Sequence, residues 1–417
     1  MRQRMLALAA AVIVVAALGP RTFNAFRSVF AFQSAAKTFA VSSTPVSIPF
    51  DLSGRHIILK VTVNNSPPLS FVLDTGARYS IINLDRAKEL GLTLEGEIRV
   101  GGAGIQTATG SFVRNSTFTI PGLSGFSQPV SMALPIGHLA QRMGHDFDGI
   151  LGSDFISEFV VEIDYLARRL KLHDKERFNY AGPGESLPIK LTQHGHPILE
   201  AEVTPIGSEP VRGKFVLDIG AGSALALHSP FVNERQLLGP NLKTIKALGG
   251  AGAGGEIAGR IGRVAELKIG SYKLTDPITL FSQDKAGALA NASLLGNIGA
   301  QVANRFKLFL DYERDRIIFE PNSEFGKPYD RAFAGVSLQG EGKDYRTFRI
   351  TSVLENSPAS EIGLQIGDVI TEVDGKAARD LVLSTLNGMF EKPVTYKLKI
   401  KRGEQTLQVS LTPRKLV

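Results

Sequence analysis

The seven residues Phe71-Val72-Leu73-Asp74-Thr75-Gly76-Ala77 recur as Phe215-Val216-Leu217-Asp218-Ile219-Gly220-Ala221 with one letter changed. The repetition extends well beyond these heptads. GGAG stands at 101–104 and again at 249–252, and the stretch opening ILGSDF at Ile150 is echoed by NIGAQV from Asn297. The Asp-Tyr dipeptides at Asp164 and Asp311 complete the set. All four anchors keep the same order at a nearly constant spacing, the mark of an internal duplication. Whatever fold one half adopts, the other must adopt too, and Asp74 and Asp218 must occupy equivalent places in it.

Within each half the local pattern is β. HIILKVTVNN (56–65) and PILEAEVTPI (197–206) alternate or run apolar over strand lengths, and LSFVLD and GKFVLD are short apolar strands ending at an Asp-x-Gly turn. Many short strands punctuated by Gly and Pro predict a barrel-like all-β lobe. One helix is predicted over 83–92, closed by Gly91. The first lobe is placed at 45–180 and the second at 185–322, joined by the turn-rich AGPGES at 181–186. After a linker-like stretch at 320–330 the pattern changes to strand, helix, strand, Asp-Gly turn, helix near 378–386, and a hairpin turning at Arg402-Gly403. This predicts a third, α+β unit over 333–417.

The N-terminus has its own grammar. A basic MRQR precedes an apolar run at 5–19, the pattern of a signal peptide or N-terminal anchor over 1–19, followed by a linker over 20–44. The run is short against the ~20 residues of a spanning helix. Export to a periplasmic or extracellular space is expected, with anchoring to a membrane as the alternative to cleavage. The net charge of +7 is scattered rather than gathered into a basic block, so nucleic acid is not an expected partner. With no cysteine in the chain, disulfides, thiolate nucleophiles and Cys-based zinc sites are excluded.

The chemistry rests on the paired aspartates. A single Asp-Thr-Gly is weak evidence, because Asp and Gly also serve strand-to-turn junctions. Two carboxylates brought together across a pseudo-twofold axis cannot both ionise, so one proton is shared and the pair holds a base and an acid at once. A water between them could attack an amide carbonyl with no metal, cofactor or covalent intermediate. The glycines at 76 and 220 would let the two turns approach closely.

On these residues, 45–322 resembles a bilobal aspartic peptidase of the pepsin and retropepsin type. Apolar-Gly elements at 150–152 and 297–299 match those that thread behind each active loop in that family. The resemblance implies two pseudo-twofold-related acid-protease-like β-barrel lobes, a catalytic dyad of Asp74 and Asp218, and loop support from Thr75, Gly76, Ile219 and Gly220. It also implies flaps over a polypeptide substrate, with Gly101, Gly102 and Gly104 in one and Gly249, Gly250 and Gly252 in the other. One departure stands out: the family places Thr or Ser after each Asp, and Ile219 cannot donate that hydroxyl's hydrogen bond. The alternative is a catalytically inactive peptide-binding or scaffold protein of the cell envelope.

Residues 333–417 resemble a bacterial-type PDZ domain through SPASEIGLQIGDVITEVDGK at 357–376. The resemblance implies that Phe333, Ala334, Gly335 and Val336 bind the terminal carboxylate of a peptide or protein added to a sheet edge. Three other signals are set aside. GAGAGG at 250–255 satisfies a dinucleotide motif without the helix that motif needs, and no serine nucleophile context accompanies the PDZ-like segment. His194, His196 and His228 lack a metalloprotease spacing and are expected in turns or at the surface, so no metal site is assigned.

Overall fold

The computed structural model describes residues 44–104, 106–124, 126–247, 251–252 and 254–417. The apolar run at 5–19 and, but for Thr44, the connector at 20–44 lie outside the described residues, as do Gly249 and Gly250. Among the described residues no helix is long and apolar enough to cross a membrane.

The duplication is visible as strand order. In the first half, neighbouring strands run Thr93–Gly101, Thr107–Arg114, Met132–Leu134, Ile81–Asn83, Gly149–Leu151, Leu69–Leu73 and His56–Val63. In the second, Ile245–Lys246, Gly259–Arg263, Ile278–Ser282, Leu225–Leu227, Gly296–Gly299, Val211–Asp218 and Pro197–Thr204 repeat that order element for element. Pro197–Thr204 alternates buried and half-exposed residues, as a strand with one wet face must. Leu69–Leu73 is buried at every position, because it is paired on both sides and covered on both faces. The helix expected over 83–92 forms at Leu84–Glu89. The Asn83 side chain caps its start by accepting from the Asp85 N–H, and Gly91 leaves it at φ +65°.

The halves are joined through a shared sheet. Val160–Asp164 pairs antiparallel with Phe306–Asp311, Glu162 opposite Phe309, and Arg169–His173 and Arg316–Pro321 flank them symmetrically. The Asp-Tyr repeats lie at the ends of these central strands. Asp311 is wholly buried and neutralised by Arg314 and Arg316, whose nitrogens lie 3.1 and 2.7 Å from it. One apolar core runs through both lobes, from Leu59, Phe71 and Phe155 to Phe215, Phe306 and Phe319. The architecture is mainly β, two pseudo-twofold-related lobes and a small α+β unit.

That third unit has its own core around Phe348, Ile350, Leu383, Leu398 and Leu411, under a sheet ordered Val336–Glu341, Thr347–Val353, Val369–Val373, Tyr396–Arg402, Gln405–Leu411. The Asp-Gly turn is present, with φ +50° at Asp374 and +81° at Gly375. Three expectations need correction. The helix expected near 378–386 starts at Leu383, since extended backbone at Val382 separates it from a 3-10 turn at Ala378–Asp380. The last hairpin reverses one residue later than expected, with Arg402 paired to Gln405 and Gly403 supplying φ +56°. The 320–330 stretch, though mostly exposed, is tethered rather than free: the Arg305 guanidinium stacks 3.8 Å above buried Tyr329 and donates to the Glu324 carbonyl.

Candidate active site

Each aspartate sits at the end of a buried strand held in parallel register by the apolar-Gly element. Val72 and Leu73 lie opposite Ile150 and Leu151; Val216, Leu217 and Asp218 lie opposite Asn297, Ile298 and Gly299. The chain then turns tightly, with Ala77 N–H donating to the Asp74 carbonyl and Ala221 N–H to that of Asp218. The two turns meet tip to tip. A Cβ on Gly220 would lie 2.2 Å from Asp74 Cγ, and one on Gly76 would lie 2.8 Å from Asp218 Oδ1. Only hydrogen fits at these two positions.

The structure therefore brings Asp74 and Asp218 together, both half-buried, each carboxyl pressed against the turn glycine of the other loop. Burial, then the facing charge of Asp218, pushes the Asp74 carboxyl up to about 8, although the Gly76 N–H donates to its Oδ1 at 2.7 Å. Burial also raises Asp218. It is opposed chiefly by the Asn297 side chain, donating to Oδ2 at 3.0 Å, and by the Ala221 N–H, donating to Oδ1 at 3.0 Å. The better-supported carboxylate is Asp218, so the proton of the pair belongs on Asp74.

Thr75 and Ile219 show how the changed letter is accommodated. The Thr75 hydroxyl, wholly buried, donates to the Leu217 carbonyl at 2.6 Å and accepts from the Ile219 N–H at 3.0 Å. One hydroxyl thus ties the first loop to two backbone groups of the second. Ile219 is itself 1% exposed and belongs to the apolar core that both lobes share.

Other residues around the dyad were not legible from the sequence. Ser80 is pinned to Asp154 by its N–H and its hydroxyl, at 2.9 and 2.7 Å, behind the first loop. Asn297 touches Asp218 directly, and His228 stands behind Asn297 with 1% of its surface exposed, contrary to the turn or surface position expected for it. Each lobe also reaches across to the other's loop. The His56 ring lies against the second loop, 3.5 Å from where a Cβ on Gly222 would stand, and His196 is depressed to about 4, first by burial and then by His194 and Arg78. The useful signal was the alignment of the halves itself, where Ile150 in one faces Asn297 in the other.

The two glycine-rich segments meet each other. Gln106 N–H donates to the Gly254 carbonyl at 2.8 Å, and Gly254 N–H donates to that of Ala103 at 2.9 Å. The Gly102 carbonyl accepts from Ala288 N–H. Gly101 ends its strand with open space beside it, whereas a Cβ on Gly104 would lie 2.3 Å from the Gly254 oxygen and one on Gly252 would lie 2.7 Å from Ala103. In the third unit Phe333, Ala334, Gly335 and Val336 line a cavity of about 1320 Å³ with Ser384 and Asn387 of the Leu383–Met389 helix. The same cavity is walled by His56, Gln106 and Glu256 from the lobes. Gly335 has φ +83° and lies against Ser357, where a Cβ would be 2.2 Å away.

Residues 59–155 match the family model described as aspartyl protease, and residues 349–382 match a PDZ domain model. Two curated relatives are similar to parts of the chain. A probable CtpA-like serine protease of Staphylococcus haemolyticus is 28% identical over 33% of this chain and 26% of its own length. The serine protease HTRA1 of Xenopus laevis is 33% identical over 16% and 14%. The chain thus spans about a quarter or less of the curated relatives it matches. The aspartic proteinase of Irpex lacteus aligns over 68% of this chain and 99% of its own, at 10% identity and a TM-score of 0.43. The chain joins an aspartyl protease family region, carried by its first lobe, to a C-terminal PDZ domain.

Proposed function

We propose that the protein is an aspartic-type endopeptidase in which Asp74 and Asp218 activate a water against a peptide bond. The observation that carries this reading is the close approach of two half-buried carboxyl groups, each against the turn glycine of the other loop, on equivalent loops of a duplicated fold. Asp218, ionised, takes a proton from the water as its oxygen attacks the carbonyl carbon. Asp74 gives its proton to the carbonyl oxygen, so a neutral gem-diol forms and the negative charge passes from Asp218 to Asp74. On collapse the C–N bond breaks, the leaving nitrogen takes the proton held by Asp218, and a diol hydroxyl returns one to Asp74. The cycle consumes one water and restores the shared proton.

The paired glycine-rich tips would act as flaps that part to admit an extended chain and then exclude bulk water. In this reading the 333–336 loop and the edge strand Val336–Glu341 take the C-terminal segment of a peptide or protein by strand addition. Filling that groove from Gly388, which lines the cavity with open space beside it, tests the idea. G388W should abolish binding of C-terminal peptides and leave cleavage of short unanchored peptides intact; peptide binding that survives would refute the assignment. The N-terminal apolar run favours export.

The decisive assay measures cleavage of a mixed peptide pool by the wild type, D74N and D218N. Each substitution should cost about 10²–10⁴-fold, the range for removing a general acid or base. Wild-type activity should follow a bell-shaped pH profile. A wild type that binds peptides without cutting them would favour the inactive relative that Ile219 suggests. Cleavage that survives both substitutions would exclude the dyad.

A further inference from the structure

The two halves treat their aspartates differently on the outer side. Behind Asp74 the apolar-Gly element offers Ile150; behind Asp218 it offers Asn297, whose Nδ2 donates to Asp218 Oδ2 at 3.0 Å. Asn297 Oδ1 in turn lies 2.9 Å from His228 Nε2, and His228 Nδ1 lies 3.1 Å from the Asn291 carbonyl. His228 stands at the N-cap of helix Ser229–Glu234 and makes no capping bond, whereas the matching residue of the first lobe, Asn83, caps its helix in the ordinary way. The second lobe has given up a cap and turned that side chain toward the dyad.

The hydrogen-bond inventory links this chain to a proton. With the amide as placed, Asn297 Nδ2 donates to Asp218 while its Oδ1 faces the His228 ring, and a donor amide favours the ionised carboxylate. If the amide turns over, Asn297 Oδ1 faces Asp218, which must then carry a proton to donate. The His228 contact therefore selects which face of the amide Asp218 meets. Asp74 faces Asp218 across the dyad. The other acid tied into the network is Asp284, whose carbonyl accepts from the Ser229 hydroxyl and whose carboxylate accepts from Ala258 N–H.

We propose that His228, acting through Asn297, is the positioning residue that holds Asp218 ionised and so makes it the base, leaving Asp74 as the acid. The inference rests on the peptidase reading above for its consequence, but not for its test. Titration of the Asp218 side-chain ¹³C resonance, assigned by its loss in D218N, is compared among wild type, N297L, H228F and H228Q, with peptide cleavage followed across pH in parallel. N297L should move the Asp218 titration to higher pH by about one unit, a tenfold change in its ionisation equilibrium. The acid limb of the rate profile should shift in the same direction, with kcat lowered more than KM is changed. H228F should do the same to a smaller extent, and H228Q, whose amide can still donate to Asn297 Oδ1, should stay near wild type. If N297L does not fold, the two His228 variants decide the matter. An Asp218 titration unmoved in folded N297L or H228F overturns the relay. A wild type that cleaves nothing, together with a titration that moves as stated, overturns the peptidase reading and leaves the relay standing.

Discussion

The two lobes share a strand order and a tight Asp-x-Gly turn, yet they secure those turns by different means. The first lobe spends polar groups on its own loop: Ser80 is fastened to Asp154, and the Thr75 hydroxyl reaches over to Leu217 and Ile219. The second has Gln301 where Asp154 stands, and Ile219 where Thr75 stands. Its polar investment lies instead at the outer oxygen of Asp218, through Asn297 and His228. A duplicated fold thus supplies two equivalent carboxyl groups, and the differences around them make the two inequivalent. That inequivalence is what an acid–base pair needs, because the partners must differ in protonation at the same pH.

Adding a methyl group to each turn challenges the comparison most severely. G220A drives a Cβ to 2.2 Å from Asp74 Cγ, and G76A drives one to 2.8 Å from Asp218 Oδ1. Both should cut peptide cleavage by about 10²-fold or more by separating the dyad, and G220A should be the worse of the two. Equal, near-wild-type rates in both variants would mean that the turns need not meet.

The cross-lobe hydroxyl comes next. T75V leaves the buried Leu217 carbonyl and Ile219 N–H without their partner and should cost about 1–3 kcal/mol in denaturant unfolding. I219T exchanges apolar packing for a hydroxyl and should change stability by less. A T75V protein as stable as the wild type would show that the link between loops is carried by packing alone.

A smaller effect separates the aspartates by pH. Because burial and the facing Asp218 push the Asp74 carboxyl up to about 8 from an ordinary 3.8, the folded chain keeps a proton that the unfolded chain has released. Burial of Asp74 therefore lowers stability progressively as pH rises from about 4 to about 8, and costs nothing below that window. D74N removes the penalty, so it should melt above the wild type at pH 8, with the gap closing toward pH 4. A domain pair of this size shifts by about 2–4 °C for each kcal/mol. A D74N protein that melts at or below the wild type at pH 8 would place the raised carboxyl elsewhere.

The sequence carried the large-scale plan because the plan is repeated in it. Two matching heptads and two matching apolar-Gly elements suffice to place Asp74 and Asp218 at equivalent positions, and period-two apolar patterns mark the strands around them. What it did not carry are long-range side-chain contacts. That Asn297 meets Asp218 depends on a parallel pairing of strands separated by most of a lobe, and that His228 turns inward depends on a helix cap left unmade. Asp148 is likewise a buried acceptor for Ser70 N–H and Arg86 Nε at 2.8 and 2.7 Å, contacts only the closed sheet creates. The tethered 320–330 segment is a similar case, since its composition suits a linker and its anchorage comes from Arg305 on another element.

The central claim is a single proton held between two carboxyl groups from equivalent loops, and neutron diffraction from deuterium-exchanged crystals near pH 6 tests it most directly. The account predicts one deuteron between the facing oxygens, bonded to Asp74, with Asp218 bare and accepting from Asn297. Two bare carboxylates, two deuterated ones, or side chains drawn apart beyond hydrogen-bonding distance would contradict it.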